Sequence, residues 1–222
     1  MKQGVIMFKE FYYPHKKSVL IKDAITEVVK MLEKVERMFS ASFDYLFFGK
    51  EYSRDLFKED VDINAGERIV RRLVFEHLTI NPKQDLIPSL LLISIIGDVE
   101  RIGDYAKHLW ELRDYISEFK CEKNLDTIMH IKDEIIPLFG MTKDAFYKSD
   151  EEKGKKVMEK HREIKKNVDN SMKSIFLDKE ILPVEAAILS NTLIYLRRIS
   201  AHLSNIASSV ANPFDKIRAD DE

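Results

Sequence analysis

The sequence predicts an all-α protein built from two tandem three-helix units. Three observations carry that expectation. Apolar residues recur at three- and four-residue intervals over long stretches, the period of one face of an α-helix. Turn-forming residues are scarce, with 7 Gly and 6 Pro in 222 residues, fewer than an all-β or Rossmann-type chain needs. Six such helical stretches fall into two runs of three, the arrangement left by an internal duplication.

The helices read off in order. Residues 1–17 form an aromatic-rich lead-in ending at Pro14-His15-Lys16-Lys17. Ser18 is a candidate N-cap, and Ile21, Ile25, Val28, Leu32, Val35, Phe39 and Phe43 then hold one seam as far as Gly49. A second helix is expected from about Ser53 to Asn81-Pro82, its seam on Leu56, Asp60, Ile63, Glu67, Val70 and Val74. The third is expected over about Gln84 to Phe119, followed by a loop at Cys121 to Asn124. The fourth reaches Lys148, with Pro137 predicting a kink or a late start. Ser149-Asp150-Glu151-Glu152 opens a fifth, to Leu177, and Pro183 starts a sixth that ends at Asn212-Pro213. The expected division is therefore lead-in 1–17, first bundle 18–120 and second bundle 121–222.

Composition excludes several classes. Hydrophobic residues at 45% and charged ones at 33% suit helices with buried stripes and charged outer faces. The formal net charge of −2 and the lack of a basic tract argue against nucleic acid as a partner. The lone Cys121 forms no internal disulfide and fits a reducing cytoplasm. No secretory signal is evident, and the near-apolar run Leu86 to Ile96 is half a membrane span. Any membrane association is expected through partners.

Chemistry concentrates on the third helix. At about 100° per residue, Glu100, Asp104 and Glu111 project within roughly 40° of one another. Gly97, Ile93 and Leu90 precede them on that stripe, so an apolar seam is expected to turn acidic partway along. Asp60 and Glu67 interrupt the seam of the second helix in the same way. Acids on a core seam need a cation, a base or water, because an unpaired buried carboxylate costs several kcal/mol. Carboxylates are hard oxygen donors, suited to magnesium, manganese and iron. Asp60, Glu67, Glu100 and Asp104 are thus candidate metal ligands. The bland alternative is a face that is solvated or paired with Arg68, Arg71 or Arg101. Glu111 and His108 are weaker candidates, and Asp98, about 160° from Glu100, is expected to face solvent.

The second run keeps the frame and loses the acids. With an offset of 97, Arg101 and Ile102 recur as Arg198 and Ile199, while Glu100 becomes Arg197 and Asp104 becomes Ala201. His161 falls where the second unit would carry its Asp, and Arg197 is expected to neutralise a nearby carboxylate. Phe47 and Phe48 cannot share one seam, so one of them is expected at a dimer or partner surface.

The segment Glu100-Arg101-Ile102-Gly103-Asp104 followed by Ala106, Leu109 and Glu111, with Asp60, Ile63 and Glu67 on the preceding helix, resembles the PhoU family of phosphate-signalling proteins. Tyr105 stands for the usual His of that signature and His108 for the usual Asn. The resemblance implies two antiparallel three-helix bundles with metal sites of iron or zinc, or of magnesium or manganese, on their acidic faces. It also implies a non-enzymatic, cytoplasmic and homodimeric regulator. Such a protein contacts a phosphate transporter, usually of the ABC type through its ATPase, and a sensor histidine kinase, and it restrains phosphate uptake and starvation signalling. Two other readings compete: a di-iron, ferritin-like protein, which wants Glu-x-x-His pairs that this chain lacks, and a metal-free helical adaptor. No Ser-His-Asp, Gly-rich phosphate loop or Cys-His arrangement points to an enzyme.

Overall fold

The computed structural model of the chain describes residues 18–116 and 122–212. The expected lead-in 1–17, the third helix's expected end at Phe119, Cys121 and Pro213 lie outside the described residues. Six long helices carry the described chain: α1 (Val19–Phe48), α2 (Leu56–Ile80), α3 (Leu86–Glu111), α4 (Glu122–Lys148), α5 (Glu151–Leu177) and α6 (Pro183–Ala211). No strand occurs among the described residues.

Local chemistry sets most of the ends. Gly49 closes α1 at φ 65°, a left-handed conformation that glycine adopts without Cβ strain, and its N–H donates to the Tyr45 carbonyl. Asp55, rather than Ser53, caps α2 by accepting the Lys58 N–H at 3.0 Å. Asp150 caps α5 in the same way through the Lys153 N–H, and Pro183 occupies the first turn of α6. Ser18 does not cap α1 with its hydroxyl; its backbone N–H donates to Asp85 Oδ2 at 3.2 Å, tying the start of α1 to the α2–α3 turn. The α-helical part of α3 stops at Glu111, well short of Phe119, and tightens into a 3₁₀ turn over Leu112–Tyr115. α4 runs through Pro137 without starting late.

Short connections fold each triplet back on itself, so α1, α2 and α3 pack mutually, and α4, α5 and α6 do the same. All seven predicted seam residues of α1, from Ile21 to Phe43, are buried. The two bundles share one continuous apolar core. They join through α1 against α4, where Phe39 and Phe139 stack with ring centres 5.7 Å apart, and through α3 against α6. Fully buried side chains of this size contribute about 1.5–3 kcal/mol each.

α3 requires one correction. Its core face is Leu92, Ile95, Ile96, Val99, Ile102, Ala106 and Leu109. Leu90 and Ile93, expected on a core seam, are each 41% exposed, so the stripe leading to Glu100 and Asp104 runs along the rim of the helix. The sequence offered two neighbouring stripes, and packing selected the uninterrupted aliphatic one because it removes more apolar surface from water.

Candidate functional site

The α2 seam delivers its two acids as predicted. Leu56, Ile63, Val70 and Val74 anchor the helix in the core, and Asp60 lies between them, nearly buried at 9% exposure. Glu67 sits against α3, its carboxylate 3.9 Å from where a Cβ on Gly97 would stand. Across from them, Glu100 and Asp104 ride the rim of α3. Burial pushes the Glu100 carboxyl up, and the neighbouring charges of Asp104, Glu67 and Asp60 push the same way, against Arg101. The fold therefore gathers the four candidate ligands of α2 and α3 into one electrostatic cluster.

A cation already stands in this cluster. The Lys107 ammonium donates to Asp60 Oδ2 at 2.8 Å and reaches Asp104 Oδ1 at 3.4 Å. Burial alone would lower the Lys107 titration; the hydrogen bond to Asp60 and the charges of both aspartates outweigh it and hold the group above its ordinary value. Arg71 pairs with Glu67 at 2.7 Å, one of the partners expected for a metal-free face. Lys107 was not among them. Its signal in the sequence is the Asp104-x-x-Lys107 spacing, which places the two side chains on one helix face.

The four carboxylates on facing helices are hard oxygen donors of the type a divalent ion takes, but they are partly paired by Lys107 and Arg71. Asp60, Glu67, Glu100 and Asp104 are the residues that would hold it. As they stand, no three His, Cys, Asp or Glu side chains among the described residues close into a chelating group.

His108 and Glu111 are not brought to the quartet. The His108 ring packs 5.6 Å from that of Tyr195 on α6, and the charge of Glu111 acts on the Tyr195 hydroxyl, which burial pushes up first. Asp98, expected in solvent, is only 3% exposed. Its Oδ1 lies 2.8 Å from His202 Nδ1 and accepts the Asn205 side-chain amide at 3.0 Å. The reason is the docking of the two bundles: the face of α3 turned away from α2 is the face α6 covers.

This α3–α6 seam is related to itself by the internal repeat. The offset of 97 turns Asp98 into Tyr195, Tyr105 into His202 and His108 into Asn205. The polar contacts of Asp98 with His202 and Asn205 thus correspond to the aromatic contacts of Tyr195 with Tyr105, at 5.7 Å, and with His108. Tyr105 stacks on His202 at 5.7 Å where the two halves meet. The departures at Tyr105 and His108 now have a physical account. On α6, His202 and Asn205 face an acid, while on α3 their counterparts face a tyrosine.

In the second bundle, His161 Nδ1 lies 3.0 Å from Ser200 Oγ. Arg197 donates to Asp169 Oδ1 at 3.0 Å, the neutralising role expected of it. Phe47 is buried, whereas Phe48 is 46% exposed with the Lys50 ammonium 5.3 Å from its ring centre.

Fold and site together define a helical double-bundle protein with one acidic, lysine-bridged face. The PhoU domain family matches residues 28–112, most of the first bundle. The chain is 24% identical over 190 residues to the phosphate-specific transport system accessory protein PhoU homolog of Synechocystis, a match covering 83% of this chain and 85% of that protein. Its fold is similar to the phosphate transport system regulatory protein PhoU of Streptococcus pneumoniae, with TM-score 0.78 and 16% identity over 86% of this chain and 92% of that one. It is equally similar to PhoU of Pseudomonas aeruginosa, with TM-score 0.78 and 19% identity over 86% and 95%. No described helix is long and apolar enough to cross a membrane.

Proposed function

We propose that this chain is a non-enzymatic regulator of phosphate homeostasis. It restrains phosphate uptake and starvation signalling by contacting a phosphate transporter, a sensor histidine kinase, or both. The observation that carries this reading is the PhoU match to the first bundle, whose α2–α3 face gathers Asp60, Glu67, Glu100 and Asp104. In this reading the protein works in the cytoplasm as a homodimer, reaches the membrane through its partners, and uses the acidic face to bind a metal ion. A bound divalent ion would cross-link α2 to α3 and stiffen the docking face.

The test removes the protein from its own host and follows phosphate uptake in phosphate-replete cells. Uptake several-fold above the parent, restored by the intact chain, supports the reading; unchanged uptake and unchanged starvation signalling overturn it. Metal analysis of the protein purified with and without added manganese addresses the ion separately. The pairing of the quartet by Lys107 and Arg71 favours a second reading, a metal-free helical adaptor. Metal-free protein that still restrains uptake in a Glu100→Gln/Asp104→Asn background would select it.

A further inference from the structure

α1, α2 and α3 meet at one corner of the first bundle and leave a cavity there. Gly49 ends α1, the chain turns through residues 50–55, and Leu56 opens α2 beside the last turn of α3. The cavity measures about 320 Å³, at the small end of the roughly 300–1,000 Å³ that ligand pockets span. Four aromatic rings line it: Tyr45 from α1, Tyr52 from the turn, Phe57 from α2 and Trp110 from α3. None of the four carboxylates of the α2–α3 quartet does.

The walls are held before anything binds. Tyr45 and Trp110 stack with ring centres 3.8 Å apart and planes 14° from parallel. Glu59, only 6% exposed, reaches back from the first turn of α2 to accept the Tyr52 hydroxyl at 2.8 Å and Arg54 at 3.3 Å. Burial first, then the hydrogen bond to Glu59 and its charge, raise the Tyr52 hydroxyl above its ordinary value, so it stays a neutral donor. A pocket formed in advance spares the ordering cost of binding. Charge then decides what enters. The Arg54 guanidinium is engaged by buried Glu59, whereas Glu51 and Asp55 line the cavity as exposed carboxylates. A phosphate or a carboxylate would meet both acids in repulsion; a cation would meet them in attraction, and the rings with them.

From this juxtaposition of four rings and two carboxylates around a preformed cavity, we propose that the corner is a docking pocket for an arginine side chain on an exposed segment of a partner protein. A guanidinium is planar and weakly hydrated, stacks on aromatic rings, and pairs with a carboxylate through two parallel hydrogen bonds. A lysine makes the charge contact without the stack. Phe57, 51% exposed at the rim, gives the arriving chain apolar surface to cover. Arginine against tyrosine and tryptophan is a common central contact of protein interfaces. The pocket requires neither the metal ion nor the regulatory role proposed above. It belongs to the first bundle: on α6 the counterpart of Trp110 is Ala207, whose carbonyl oxygen would lie 3.0 Å from a Cβ on Gly154.

Trp110 is the chain's one tryptophan, so its fluorescence reports on the pocket directly. The full chain is titrated at low salt with a Gly-Ser-Arg-Ser-Gly peptide blocked at both ends, and with the same peptide carrying citrulline or glutamate in place of arginine. The arginine peptide is expected to change Trp110 emission saturably, with a dissociation constant of about 1 mM or tighter. The citrulline peptide has the same shape without the charge and is expected to bind about tenfold more weakly, and the glutamate peptide more weakly still. Two variants locate the response: Glu51→Gln/Asp55→Asn, which keeps a capping side chain on α2, and Phe57→Ala. Each is expected to weaken the arginine peptide about fivefold or more while melting near wild type. Should Phe57→Ala melt lower, the Glu51→Gln/Asp55→Asn variant carries the expectation alone. Equal affinity for the arginine and citrulline peptides, an arginine response that the carboxylate variant leaves unchanged, or no saturable response at all overturns the pocket.

Discussion

The two bundles share one frame and treat charge in opposite ways. On the first, α2 and α3 gather four carboxylates and counter them with a lysine and an arginine from the same helices. On the second, α5 and α6 hold Arg197 against Asp169 on a part-exposed surface, with His161 against Ser200 beside it. The bundle fold therefore does not require the acids. The second copy keeps its core without them, through buried Ile164, Val168, Leu196, Ile199 and Leu203. The role proposed for the first bundle rests on this contrast. The α3–α6 seam repeats the lesson on a smaller scale, with one polar half and one aromatic half on a shared pattern.

The largest expected effect lies in that seam. Asp98→Ala removes the buried acid that His202 and Asn205 face in a part-buried contact and is expected to cost about 2–4 kcal/mol in urea denaturation. Its repeat counterpart, Tyr195→Phe, keeps the ring packing and is expected to cost less than about 1 kcal/mol. Equal costs would erase the distinction between the two halves.

Next come two glycines that look alike in sequence. A Cβ on Gly154 of α5 would meet the Ala207 carbonyl oxygen at 3.0 Å and the Ala211 Cβ at 3.2 Å, so Gly154→Ala is expected to destabilise by about 1–3 kcal/mol. A Cβ on Gly103 meets nothing nearer than Val35 at 3.5 Å, an ordinary contact. Gly103→Ala is then expected to gain up to about 1 kcal/mol from helix propensity. Thermal melts of the two variants moving in the same direction would contradict the packing difference.

A smaller effect is expected from Arg197→Met. It breaks a part-exposed ion pair, costs no more than about 1 kcal/mol, and leaves Mn²⁺ affinity unchanged. A drop in Mn²⁺ affinity would move the proposed metal site to the second bundle.

The smallest concerns pH. The Glu100 carboxyl is raised in the folded protein by burial and by Asp104 and Glu67, so the folded state holds its proton to higher pH than the unfolded state does. Stability is therefore lost as pH rises from the unfolded carboxyl value through the folded one, and the whole penalty is present at neutral pH. In EDTA, Glu100→Gln is expected to melt a degree or two above wild type at neutral pH, with the gap closing as the pH falls below the unfolded carboxyl value. A gap that widens towards low pH would reverse the sign and contradict the crowding of the quartet.

Much of this molecule is written locally. The seam of α1 from Ile21 to Phe43, the cap of α5 at Asp150 and the proline at the start of α6 depend on residues within a few turns, and these were legible. The pairing of Asp60 and Glu67 with Glu100 and Asp104 was legible too, because two helices joined by a short turn must lie side by side. Lys107 was missed although it is three residues from Asp104. A lysine at that spacing is ordinary on any helix surface, and only the position of α2 turns it inward to Asp60.

What the sequence alone determined is the inventory: six amphipathic helices, a duplicated pattern, and acids at positions 100 and 104 whose counterparts are Arg197 and Ala201. Which stripe of α3 is core, and where Asp98 goes, only the tertiary structure decided. Asp98 meets His202 across 104 residues, a contact that no helical period encodes. Helix formation is governed by neighbours along the chain, but the choice among competing faces is made by how much apolar surface each removes from water when the bundles close on one another.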